Sequence, residues 1–61
     1  MLTREEMINN VCHRFGLENE WVIDFVRMCE TWTESNAHNL LLNTIYDSAM
    51  DNPSIVMGEE E

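Results

Sequence analysis

Cys12, His13, Cys29 and His38 are the residues of this chain best equipped for metal or redox chemistry. Zinc requires four ligands converging on one tetrahedral point. Neighbouring residues on a helix point about 100° apart, so Cys12 and His13 do not easily share an ion. The chain has no Cys-x-x-Cys or His-x-x-x-His pair. The expectation is two buried thiols, a solvated His13 and a His38 at the edge of the core. A Cys12–Cys29 disulfide would need Cα atoms within about 7 Å. A cysteine nucleophile needs a base in reach and a cleft for substrate, and a short helical body offers no evident cleft. Acidic surroundings also raise a thiol's pKa. No catalytic residue, metal or cofactor is expected, and the chain reads as a non-enzyme.

The carboxylates point elsewhere. Glu20 and Asp24 are four apart, and so are Glu30 and Glu34. The stretch Asp47-Ser48-Ala49-Met50-Asp51-Asn52 lacks the alternating ligands, the glycine and the closing glutamate of a calcium loop. Residues 18 to 34 set Glu18, Glu20, Asp24, Glu30 and Glu34 against Arg27 alone. Carboxylates four apart on a helix lie about 6 Å apart along its axis, so such a row could occupy a groove built for phosphates. Like charges at this spacing cost helix stability. Glu30, Glu34, Asp47 and Asp51 also oppose the dipoles at the ends of their helices. A solvated face is the plain reading. The accumulated conflicts favour a surface that meets something basic.

Three helices would position these groups. Thr3 and Glu6 form a Thr-x-x-Glu capping box, and Ile8, Val11, Cys12 and Phe15 keep a helical period after it, with Met7 at the stripe's edge. Gly16 should end that helix in a left-handed residue, with Leu17 folding back on the last turn. A second helix over about 19–32 carries Val22, Phe25, Val26 and Cys29 on a wide apolar arc, which makes it the expected central helix. A third starts near Ser35, a good N-cap, with Ala37, Leu41, Leu42, Ile45, Ser48 and Ala49 facing inward. Pro53 stops it. No strand pair is legible. The fold class is therefore all-α, a small three-helix bundle over residues 1–52 with an acidic C-terminal tail over 53–61. Its expected core is Ile8, Val11, Cys12, Phe15, Val22, Phe25, Val26, Cys29, Leu41, Leu42, Ile45 and Ala49.

Charge then narrows the partners. Twelve acids against three arginines and no lysine give a formal net charge of −9 over 61 residues. Three arginines cannot neutralise enough phosphates for direct nucleic-acid binding, and acidic membranes are repelled. No apolar run approaches the roughly 20 residues of a membrane span, and no signal peptide is legible, so the cytoplasm is the expected location. Ile23, Leu40, Tyr46 and Met50 fall off the inner stripes, and Ile55-Val56-Met57 follows the last helix. So many outlying apolar residues suggest an interface, unless the tail folds over the third helix. The expected binding residues are Glu18, Glu20, Ile23, Asp24, Glu30, Glu34, Leu40 and Tyr46. The expected role is a small acidic inhibitor or adaptor that engages a basic surface of a larger protein, with a nucleic-acid-handling protein as one option. The alternative is a homodimer built on the apolar outliers.

Phe15-Gly16-Leu17, between two short helices and followed by a third, resembles in position the Met-Gly-Phe-like loop of ubiquitin-associated domains. The residue order differs and the interval to the third helix is longer, so the likeness assigns no family. Tiny acidic lysine-free chains are also similar in style to the host-takeover proteins of viruses that infect bacteria, with no shared motif.

Overall fold

The computed structural model describes residues 1–58; the Glu59–Glu61 run lies outside the described residues. Helices α1 (Arg4–Phe15), α2 (Glu20–Thr31) and α3 (Asn36–Asp51) form the bundle, and a single turn, α4 (Ser54–Met57), follows Pro53. The fold is all-α, a small three-helix bundle with a short C-terminal segment.

Each long helix begins where its capping chemistry lies. The Thr3 hydroxyl accepts from the Glu6 N–H at 3.1 Å, and the Glu6 carboxylate accepts from the Thr3 N–H at 3.0 Å. The Asn19 carbonyl accepts from the N–H groups of Trp21 and Val22, and the Ser35 hydroxyl from that of His38. These side chains satisfy backbone donors that no helical carbonyl can reach. Gly16 ends α1 at φ 100°, a region closed to residues with a Cβ. Leu17 does not fold back on α1; it is exposed.

The core is Met7, Val11, Val22, Phe25, Cys29, Leu42, Tyr46, Ala49 and Val56. Ile8, Cys12, Phe15, Val26 and Ile45 pack around it half-buried. Phe15, Trp21, Phe25 and Tyr46 form an aromatic chain through it, with Trp21 stacked on Phe25 at 5.1 Å between centroids. The middle helix in space is α1, packed on both α2 and α3, while α4 touches both of those from another side. At 37 × 19 × 15 Å the body is about two helices thick, so every long helix keeps a face in water.

Two assignments on α3 need correction. Leu41, assigned to the core, is 48 % exposed. Tyr46, assigned to a binding surface, is buried, and its hydroxyl accepts from the Asn10 amide at 2.8 Å. Both errors have one cause. The inner face of α3 runs through Asn39, Leu42, Asn43, Tyr46 and Ala49, turned by about 100° from the apolar stripe read in the sequence. The buried Asn43 makes that rotation possible. Its carbonyl accepts from the Leu2 N–H at 3.0 Å, and its amide donates to the carbonyls of Leu2 and Asn39. A fully bonded asparagine can therefore occupy a core position.

The segment after Pro53 packs against α2 and α3, the arrangement in which the tail folds over the third helix. Val56 is buried, its carbonyl accepts from the Asn19 amide at 3.2 Å, and α4 belongs to the fold. Val56→Asp removes about 1.5–3 kcal/mol of apolar burial. The one-turn α4 can detach rather than bury the charge, which caps the loss. The urea midpoint should fall, and the amides of Val56 to Gly58 should lose hydrogen-exchange protection. An unchanged midpoint would show that α4 contributes nothing.

Candidate functional site

Glu18, Glu20, Asp24, Glu30 and Glu34 are all exposed. Glu18 lies in the α1–α2 turn. Glu20 and Asp24 stand one turn apart on the outward strip of α2, and Glu30 lies further round the same helix. Glu34 follows α2, and its carboxylate is 3.7 Å from the Arg4 Nε. That is the only ion pair among the described residues, and Glu34 at 77 % exposure is well hydrated. Among the described residues, Glu18, Glu20, Asp24 and Glu30 have no cation within ion-pair distance.

Arg4 is committed internally. The Arg4 side chain, only 11 % exposed, reaches from the start of α1 to the end of α2. It donates to the carbonyls of Cys29, Trp32 and Thr33 at 2.8–2.9 Å, and to the Asn39 carboxamide oxygen at 2.8 Å. A cation at a helix C-terminus is favoured by the dipole and by the unpaired last carbonyls. The acids near the end of α2 are thus offset by a residue from another helix. The last turn of α3 carries no basic residue of its own, and Asp47 and Asp51 stand exposed there. Arg14 sits 5.5 Å from the Phe15 ring centroid and donates to the Met50 sulfur at 3.5 Å.

Ile23 and Glu30 come together in a groove of about 350 Å³ between α1 and α2. Ile8 and Cys12 line it from α1, Leu17 from the turn, and Val22, Ile23, Val26, Arg27 and Glu30 from α2. Leu40, 57 % exposed, lies on α3 away from this groove, beside Leu41. The groove was not read from the sequence as a unit. Its signals were Ile23, out of place on a polar arc, and Leu17 just past the helix stop.

The four candidate metal ligands are dispersed. Cys12 is half-buried in the groove, His13 is exposed and Cys29 is in the core. The His38 Nδ1 is 3.0 Å from the Thr33 carbonyl, and its ring lies 5.3 Å from that of Trp32. Among the described residues no three His, Cys, Asp or Glu side chains converge as a metal site would require, and both cysteines are free thiols.

Burial pushes the Cys29 thiol above its ordinary pKa of 9.0; Arg4 pulls it down and Glu30 pushes it up, both less than burial does. Below pH 9.0 folded and unfolded chains both hold this proton. Above it the unfolded chain releases it first, so Cys29 lowers stability as pH rises from 9.0 toward the folded-state value. Urea midpoints should fall between pH 8 and pH 10 (about two units spanning that ordinary value). The fall should be smaller in Cys29→Ala; equal falls would contradict this role.

Comparison of the chain with known protein families, characterised proteins and solved structures finds no match. Among the described residues, no helix is long and apolar enough to cross a membrane.

Proposed function

We propose that this chain is a small acidic protein-binding module, an inhibitor or adaptor that engages a basic surface of a larger protein. The observation that carries this reading is the set of carboxylates with no ion-pair partner among the described residues, Glu18, Glu20, Asp24 and Glu30, on a chain whose Arg4 is used internally. Unpaired acids exposed along α2 and the turn before it give a negative field that draws in cationic partners and repels polyanions. A nucleic-acid-handling protein, whose own site is basic, fits as the target. Two free thiols suit a reducing compartment, the cytoplasm.

Paired affinity capture from the native cell tests this, with the natural chain and the Glu20→Lys/Asp24→Lys/Glu30→Lys variant as baits. Proteins held by the natural bait should be basic and should release at high salt, because exposed charges are screened beyond about 10 Å at 0.1 M. The reversed bait should hold them at least about tenfold more weakly, a loss of about 1.4 kcal/mol. The same proteins held equally by both baits would overturn the proposal.

Leu40 and Leu41, both exposed on α3, support a second reading, self-association through that face. Light scattering separates the two, since a monomer at tens of micromolar excludes the dimer.

A further inference from the structure

The acidic strip leaves the α1–α2 groove unexplained. Two packed helices have a groove on each flank. Here α3 and α4 cover one, while the lining of the other comes only from α1, α2 and the turn between them. Its lining is largely aliphatic, with Ile8, Val22 and Val26 flanked by Leu17 and Ile23, which are 72 % and 42 % exposed.

The occupant's backbone follows from the walls. An extended segment binds by adding to a sheet edge, but here the backbone is helical and its N–H and C=O groups are spent within the helices. What the groove offers is side-chain ridges and hollows, into which another helix packs. The occupant's charge follows from the surroundings. Glu30 lines the groove, Glu20 and Asp24 stand on the adjoining strip of α2, and Arg27 is the one cation in the lining. A second copy would bring nine further negative charges and is disfavoured.

We infer that the groove between α1 and α2 takes an amphipathic helix of a partner protein, with an aliphatic row set between lysine or arginine flanks. The inference rests on the reading of the chain as a binder of basic surfaces and names the element of the partner that docks.

The probe is a synthetic helix of about 18 residues, long enough to be helical when bound. Leucines occupy one face and lysines the rest. A second peptide has the same composition in scrambled order, and a third has glutamate for lysine. The patterned lysine peptide should bind at least about thirtyfold more tightly than either control, the size of a hot-spot effect. It should slow alkylation of Cys12, the half-buried thiol in the groove; Cys29 is too buried to react first. Ile23→Gln, uncharged and at a position 42 % exposed, should weaken binding with its urea midpoint unchanged.

Equal binding of the patterned and scrambled lysine peptides, with Cys12 unprotected, overturns the groove while leaving the acidic-surface reading standing. Failure of every peptide also overturns it, and the capture experiment then decides that reading separately. Equal binding of the glutamate peptide overturns the charge assignment. A concentration-dependent dimer that protects Cys12 without peptide makes a second copy the occupant, and overturns it too.

Discussion

Phe25→Ala is expected to leave this domain largely unfolded. Phe25 is fully buried, stacked on Trp21 and 6.5 Å from the Tyr46 ring, so it joins α2 to α3. Removing a buried phenylalanine side chain costs about 3–5 kcal/mol through lost burial and the cavity left behind. A core of this size supplies about 3–5 kcal/mol in total, so the variant has little margin left. Its far-UV circular dichroism should lose most of its helical signal at 25 °C. Phe25→Leu keeps more of the volume, costs less, and should give a folded protein with a measurable shift in urea midpoint. A Phe25→Ala variant with an unchanged midpoint would contradict this packing.

Arg4→Met should come close behind, at about 2–3 kcal/mol. Hydrogen bonds to charged groups contribute about 1.5–3 kcal/mol each, and the Arg4 guanidinium makes four. The full sum is not lost, because the carbonyls exposed by the change can recover water. Arg4→Lys keeps the charge without the planar fork and should fall between the two. Glu34→Gln separates the causes. Its exposed ion pair at 3.7 Å contributes within about 0.5 kcal/mol. A loss from Glu34→Gln as large as that from Arg4→Met would mean that the ion pair, not the carbonyl cluster, holds these helices.

Local chemistry made much of this fold legible. Thr3, Asn19 and Ser35 each accept hydrogen bonds from the first turn of the helix that follows, where small polar side chains belong. Gly16 takes a positive φ where the first helix had to stop. Tertiary polar contacts were not legible. Counting only apolar residues turned α3 the wrong way, because Asn39 and Asn43 occupy positions that periodicity reserves for hydrophobes. With those two admitted, Tyr46 belongs inside and Leu41 outside. Nothing local in Arg4 announces that it serves the far end of another helix. A cation in the first turn of a helix is locally unfavourable, and that misfit was its only trace. The acidic surface was legible because exposed charge needs no partner to be seen. The groove was not, since it belongs to two helices at once.

Four polar bonds between distant segments share an arrangement. Leu2 meets Asn43, Arg4 meets Asn39, Asn10 meets Tyr46 and Asn19 meets Val56, joining residues 35 to 41 positions apart. Each of these four ties fastens the first third of the polypeptide to its last half. Neither half can complete its polar bonds alone, so a growing chain on the ribosome could not lock these ties before α3 and α4 emerged. A single protease cut in the Thr33–Glu34 connection would yield two fragments that each unravel when separated and regain helicity only on remixing.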